Sequence, residues 1–235
     1  MKTFKIGVVI ADDMEYAPLK REGGEECAYF GRDGHVFTFT EGDKKIVLRT
    51  VCCGIGKTNA AAAAMHLIDN GCNAILNTGL SGGMSGILRG QITLPDRYTE
   101  YDFDLTPLGY KKGEKPSQKY VYEADSELLS YFKDLLPNAR IGMAVTGDRF
   151  VSDDTLRAEL MADYSPVSCD MESASVASVC SMAGVPFLAL RRVSDDAGAD
   201  ASASYRDMNE NESFDLAPFV LGAVKGMFKF DNFFC

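Results

Sequence analysis

Short apolar, β-branched runs alternate with helical patterns along the whole chain, and few architectures accommodate that alternation. Residues 4–11 run into Asp12-Asp13, where a strand end opens into a polar turn and then a helix. Residues 35–40 and 45–51 flank Glu41-Gly42-Asp43, a hairpin signal. Gly54-Ile55-Gly56-Lys57 leads into an alanine-rich helix that runs to about Asn70 and is stopped by Gly71. Residues 73–78 form another buried strand, closed by Gly79-Leu80-Ser81-Gly82-Gly83, and a further strand is expected near 91–94. An aromatic stretch at 98–110 and a polar Gly/Pro loop at 111–118 precede a helix at 126–135. A strand at 141–146 then ends in Gly147-Asp148-Arg149-Phe150. In the last third, 167–169 is a short strand, and from Glu172 the apolar positions Val176, Val179, Cys180 and Ala183 recur at helical spacing until Gly184 and Pro186. Residues 187–193 form a buried strand ending at Ser194-Asp195-Asp196, and an apolar helix spans about 214–228.

This order predicts an α/β chain with one domain over residues 1–235. The expected form is a three-layer αβα sandwich about a central twisted, mixed but largely parallel sheet. Sites in such sheets gather at the C-terminal ends of strands, where the glycine-rich and acidic clusters of this chain fall. Charge narrows the partners. With 24 Lys plus Arg against 34 Asp plus Glu, a net charge of −10 and no basic run, the chain is a poor binder of nucleic acid or anionic membrane, so a small molecule is the expected partner. No stretch approaches the ~20 apolar residues of a spanning helix. The start, Met1-Lys2-Thr3-Phe4-Lys5, runs straight into a strand, so a cytoplasmic location is expected. The seven cysteines (27, 52, 53, 72, 169, 180, 235) are odd in number and lack a Cys-x-x-Cys pair, as befits reduced core residues. With His35 and His66 the only imidazoles, neither a metal nor a cofactor is expected.

Two motifs fail on inspection. Gly79-Leu80-Ser81-Gly82-Gly83 satisfies the G-x-S-x-G pattern of a nucleophile elbow, but that triad places its histidine after the serine, and both histidines here precede Ser81. Gly56-Lys57-Thr58 resembles the tail of a phosphate-binding loop whose first glycine would fall at Val51. Glycines at two strand ends more simply let the backbone approach a small ligand. The carboxylates remain: Glu15, Glu172 and Asp195 stand at strand ends or helix starts in apolar surroundings. Singly, Asp195 reads as an N-cap, Glu172 as a first-turn acid complementing the helix dipole, and Glu15 as a solvated surface acid. Together they supply a base, a ribose-hydroxyl acceptor and an acid. Those groups suffice for metal-free cleavage of a glycosidic bond through an oxocarbenium-like transition state.

Seven pieces occur in order across nearly the whole chain. They are residues 7–15, Gly54-Ile55-Gly56-Lys57, Asn77-Thr78-Gly79 with Gly82-Gly83, residues 102–110, Gly147-Asp148 with Phe150, Asp170-Met171-Glu172, and Ser194-Asp195. On these pieces the sequence resembles the purine nucleoside phosphorylase and nucleosidase superfamily, and most closely its 5′-methylthioadenosine/S-adenosylhomocysteine nucleosidases. The Met-Glu and Ser-Asp pairs, preceded by Gly-Asp-x-Phe, are the specific part.

The resemblance implies a nucleoside phosphorylase-like fold, no cofactor, and hydrolysis of an adenine nucleoside to adenine and a 5-thio-substituted ribose, as in methionine salvage. It implies that Glu15 activates water and that Asp195, assisted by Ser194, protonates the imidazole-ring nitrogen of the departing adenine. Glu172 would accept hydrogen bonds from the ribose hydroxyls, with Met171 packed under the sugar. Phe150 would stack on adenine, the backbone of Val151 would read its edge, and Tyr205 would lie over the ribose and 5′ substituent. Gly79 and Ser81 would border the ligand. Leu80 stands where the family usually has a serine near the attacking water, a place Ser81 could fill, and Asp12 stands where the family commonly has an apolar residue beside the 5′ group. Ile55 would help line the 5′ pocket, completed by Leu105, Leu108 and Tyr110 from the neighbouring subunit of a homodimer.

This scheme requires two carboxyls in opposite states, Asp195 holding a proton near neutral pH and Glu15 ionised. Phosphorolysis on the same fold would need cations where this chain has Asp12-Asp13-Met14-Glu15, which would repel phosphate. A futalosine-type nucleosidase would share the carboxylates and differ in the 5′ pocket. A binding protein without turnover would have no need of all three.

Overall fold

The computed structural model describes residues 1–211 and 216–234. In chain order the strands are β1 (Lys2–Ile10), β2 (Glu25–Glu26), β3 (Gly34–Glu41), β4 (Lys44–Cys52), β5 (Ala74–Gly83), β6 (Ile92–Thr93), β7 (Arg97–Glu100), β8 (Val121–Glu123), β9 (Met143–Thr146), β10 (Ser168–Asp170) and β11 (Phe187–Asp195). The helices are α1 (Asp13–Lys20), α2 (Lys57–Asp69), α3 (Ser126–Leu135), α4 (Asp154–Tyr164), α5 (Ser173–Ala183), α6 (Ala201–Asn211) and α7 (Leu216–Gly226).

β1 pairs in parallel with β4 along its whole length, Lys2 opposite Lys44 through Ile10 opposite Cys52, and with β5 on its other side. β5 continues in parallel with β11, and β9 runs parallel to both β7 and β10. Antiparallel pairs close the edges, β2–β3–β4 at one side and β7–β8 at the other, and β10 meets the end of β5 antiparallel at Gly82 and Gly83. Strands of a sheet covered on both faces are apolar throughout, and β1 shows why. Phe4, Ile6, Val8 and Ile10 enter one core with Leu19 of α1, Leu128 and Phe132 of α3, and Val220, Leu221 and Val224 of α7. Val9 points the other way, into a core with α2 and α5.

That second core is built from small residues. Ala60, Ala63, Ala64 and Leu67 of α2, at helical spacing, lie against Ala174, Ala177 and Cys180 of α5. α2 also sits so close to β1 that a Cβ at Gly7 would come within 2.9 Å of Leu67. Gly184 ends α5 in the left-handed conformation expected of the stop read from the sequence.

Several elements differ from expectation for physical reasons. Residues 79–83, read as a closing turn, continue β5. Their glycines bring backbone into contact, a Cβ at Gly82 falling 2.8 Å from Cys169 Sγ and one at Gly83 2.6 Å from the Ile87 carbonyl. The aromatic stretch begins as β7 before looping through a 3-10 turn at Thr106–Leu108. α4 and α6 were not anticipated because each buries too few residues for a visible stripe, Leu156 and Leu160 in one and Ala201 and Met208 in the other. The apolar C-terminal helix is α7. The expected start at Phe214 lies outside the described residues, as does Cys235. Among the described residues, no helix is long and apolar enough to cross a membrane. The six described cysteines are unpaired, five of them buried.

Candidate active site

The C-terminal ends of β1, β5, β10 and β11 open on a cavity of about 370 Å³. Glu15, Glu172, Ser194 and Asp195 line it, together with Met171, Phe150, Val151 and Tyr205; Asp12, Ile55 and Ser81 complete the predicted residues found there. Gly79 is the exception. It packs beneath the Glu15 carboxylate instead of facing the cavity, and a Cβ there would fall 2.6 Å from Glu15 Oε2 and 2.9 Å from Arg191 Nη1. Leu105, Leu108 and Tyr110 do not line this chain's own cavity; they lie on the exposed excursion after β7, Leu108 being 71% and Tyr110 38% exposed.

Asp12 is the N-cap of α1, its carboxylate accepting from the Met14 N–H at 2.7 Å, and this cap starts the helix whose first turn carries Glu15 inward. Glu15 is a buried acid, not a solvated one. Its Oε1 accepts from the Leu80 N–H at 2.7 Å, while Oε2 is buried without a protein partner. Burial pushes its carboxyl up to about 8 against the opposing effects of the Leu80 N–H and the Arg191 guanidinium. Desolvation outweighs both stabilising partners and favours the protonated carboxyl, whereas the role of base requires Glu15 to shed that proton.

Asp195 ends β11 just past an irregularity in its pairing with β5. Its Oδ1 accepts from the Ala197 N–H at 2.8 Å and its Oδ2 lies 2.6 Å from Ser194 Oγ, which is also 3.2 Å from the Ser81 carbonyl. Burial raises its proton affinity against these hydrogen bonds. Ser194 has one proton for two acceptors. When that proton goes to the Ser81 carbonyl, the 2.6 Å contact is satisfied by a proton on Asp195, so the geometry accommodates the acid in its protonated form.

Glu172 stands at the start of α5 without capping it. Its Oε1 accepts from the Gly56 N–H at 3.0 Å and its Oε2 lies 3.5 Å from Arg191 Nη2. Burial raises its pKa, with Arg191 opposing. Phe150 and Tyr205 meet edge to face at 5.6 Å between ring centroids, so α6 and the loop after β9 enclose the cavity with aromatic rings.

Sequence reasoning missed Arg191, a side chain 1% exposed. Its Nε donates to Asp170 Oδ2 at 3.1 Å and its Nη2 to Ser173 Oγ at 2.9 Å and to Asn77 Oδ1. Asp170 in turn accepts from Thr146 Oγ1 and from the N–H groups of Glu172 and Ser173. A guanidinium buried among two carboxylates is tolerated only when its donors are spent in this way. The network fixes Glu172 and presents positive charge beneath Glu15. The signal was available, an arginine pair interrupting the apolar run of β11. Among the described residues, no group of three or more His, Cys, Asp or Glu side chains is arranged to hold a metal ion.

The family model described as phosphorylase superfamily matches residues 5–218. The chain is 32% identical to the 5′-methylthioadenosine/S-adenosylhomocysteine nucleosidase of Exiguobacterium sp., over 94% of this chain and 97% of that one. It is 33% identical to the aminodeoxyfutalosine nucleosidase of Campylobacter jejuni, over 71% of this chain and 76% of that one. The crystal structure of the S-adenosylhomocysteine nucleosidase of Streptococcus pyogenes, in complex with 5-methylthiotubericidin, matches with a TM-score of 0.83 at 27% identity, covering 96% of this chain and 97% of that one. With the family model matching residues 5–218 and the Exiguobacterium relative matching 94% of its length, the chain belongs to the phosphorylase superfamily and, within it, to the 5′-methylthioadenosine/S-adenosylhomocysteine nucleosidase family.

Proposed function

We propose that this chain hydrolyses the N-glycosidic bond of 5′-methylthioadenosine or S-adenosylhomocysteine, releasing adenine and the 5-thio-substituted ribose. The observation that carries the reading is the pair of buried carboxyls, Glu15 and Asp195, on one cavity with Glu172 held between Gly56 and Arg191. Asp195 protonates the adenine ring as the bond breaks, Glu172 fixes the ribose hydroxyls, and Glu15, once its carboxyl has released its own proton to solvent, takes the proton of the attacking water on the unpartnered Oε2. Water is favoured over phosphate because the start of α1 presents Asp12 at its N-cap and Asp13 in its first turn. Phe150, Val151, Met171, Ser81 and Tyr205 enclose base and sugar, and Ile55, with Leu105, Leu108 and Tyr110 of a second copy, encloses the 5′ end. The likeness to the family supports a place in methionine salvage, and the unpaired cysteines support a reducing, cytoplasmic setting.

A second reading, an aminodeoxyfutalosine-type nucleosidase, is favoured by charge at the cavity wall, where Asp12 and Arg206 stand although a methylthio group needs neither. The experiment is a panel of methylthioadenosine, S-adenosylhomocysteine and aminodeoxyfutalosine, with and without phosphate, with base and sugar products identified. A ribose 1-phosphate product overturns hydrolysis. Asp12→Asn retains an N-cap oxygen and removes the charge. The preference for methylthioadenosine over S-adenosylhomocysteine, whose ammonium group loses an opposite charge, should then rise several-fold. Unchanged ratios would place Asp12 outside substrate recognition.

A further inference from the structure

The turn at Gly56-Lys57, whose sequence resembles a phosphate-binding tail, has its two consecutive N–H groups occupied by two carboxylates, Glu172 of the cavity wall and Asp148 of the loop that carries Phe150 to it. Gly56 N–H donates to Glu172 at 3.0 Å, and Lys57 N–H donates to Asp148 Oδ1 at 2.8 Å, two residues before Phe150. Both are orphan donors at the start of α2, where negative charge is also favoured by the helix dipole. Gly56 is required there, since its φ is +103° and a Cβ would fall 3.1 Å from Asp148 Oδ1.

The lysine side chain closes a ring on the same groups. Its Nζ lies 2.6 Å from Asp102 Oδ1 and 3.1 Å from Glu100 Oε2, and the other oxygen of Asp102 accepts from the Asp148 N–H at 2.9 Å. One carboxylate thus joins the lysine to the loop that carries Phe150. Tyr101, next to Asp102, donates its hydroxyl to the Arg149 carbonyl at 3.1 Å, and its ring fills the space that a Cβ at Gly147 would enter. Without the lysine, Glu100, Asp102 and Asp148 would face one another with less compensation and the loop would be pushed outward.

We propose that Lys57 and Asp102 are positioning residues that set the adenine-stacking loop against the ribose acceptor, acting through Asp148 on Phe150 while Gly56 holds Glu172. The inference rests on the nucleosidase reading for its assignment of adenine to Phe150 and ribose to Glu172. The Lys57 and Asp102 side chains are 19% and 27% exposed, so water screens the pair only in part, and loss of the Asp102 charge leaves Lys57 paired with Glu100. What is lost is the hold of Asp102 on the loop that carries Phe150.

The test is Asp102→Asn, whose single acceptor oxygen cannot serve both Lys57 Nζ and the Asp148 N–H. The dissociation constant of free adenine, measured by calorimetry, and KM for methylthioadenosine should both rise about 10-fold. With Glu172 still held by Gly56 and Arg191, kcat should stay within about 3-fold and the variant should remain folded. Lys57→Met should behave alike, and Lys57→Arg, which keeps the charge, should restore most of the affinity. In a Phe150→Ala background, Asp102→Asn should add less than about 2-fold, because its effect runs through that ring. Unchanged adenine affinity in both Asp102→Asn and Lys57→Met, or a full additional loss in the Phe150→Ala background, overturns the proposal. A wild-type chain that binds adenine yet releases none from either nucleoside sinks the hydrolytic reading, while adenine affinity still decides this one. A wild type that does not bind adenine overturns both.

Discussion

At Glu15 one side chain carries both a cost to the fold and the role of base proposed for the site. Its carboxyl is raised to about 8 in the folded chain by burial, against 4.5 as the ordinary value, so the folded state holds the proton more tightly than the unfolded one. The stability this confers is fully present below about pH 4.5 and is lost as pH rises through about 8. Glu15→Gln cannot ionise, and its amide oxygen can still accept from the Leu80 N–H. Relative to wild type, the variant should gain on the order of a few kcal/mol between pH 4.5 and pH 9 in urea unfolding. A stability difference that does not change with pH would mean that Glu15 is ionised in the fold. The same variant should lose about 10² to 10⁴ in turnover, the usual share of a general base. The position of this residue was legible in the sequence, as an acid just past an apolar strand. Its protonation was not, because that depends on Leu80 and Arg191, which lie 65 and 176 residues away along the chain.

At the level of elements, legibility followed burial. β1, α2, α3 and α5 announce themselves because each buries a stripe or both faces, and some of the residues expected at the cavity sit at their ends, Asp12 and Glu15 past β1, Ile55 before α2, and Met171 and Glu172 before α5. α4 and α6 bury two described side chains each among polar neighbours, so no period marks them, although α6 carries Tyr205 to the cavity mouth. The continuation of β5 through residues 79–83 was hidden for a related reason. Glycines signal a turn when they free the backbone, but here they make room for side chains from α1 and β11. Gly79→Ala tests this. The added methyl would collide with Glu15 Oε2 and Arg191 Nη1; Asp170, Ser173 and Asn77 hold the guanidinium in place, so the Glu15 carboxylate is the group that must shift. Overpacking of that kind costs about 1 to 3 kcal/mol, and turnover should fall by about 10²-fold or more because the proposed base is displaced. Near-native turnover in a folded Gly79→Ala variant would show that the carboxylate has freedom to move aside.

For the whole molecule, the excursion between β7 and β8 is the segment that the chain's own core least explains. Leu108 is 71% exposed, Tyr110 38% and Ile55, across the cavity mouth, 50%, and none of the excursion's apolar residues lines this chain's cavity. An exposed apolar group of this density usually marks an interface. A two-fold contact would bury the same patch on both copies and bring each excursion to the neighbour's 5′ end. The excursion is also anchored, since Asp102 ties its root to Lys57 and Asp148, so a second copy would meet a surface already shaped for contact. Replacing Leu105 and Leu108 with Asp should leave the monomer folded, because neither is buried in it. Sedimentation equilibrium should then show the shift from dimer to monomer, and KM for methylthioadenosine should rise about 10-fold or more as the 5′ group loses apolar cover at ~25 cal/mol per Å². The rise should be smaller for adenosine, whose 5′ hydroxyl gains less from such cover. A wild-type chain that sediments as a monomer at assay concentrations with full activity would confine the site to one chain and reassign the excursion.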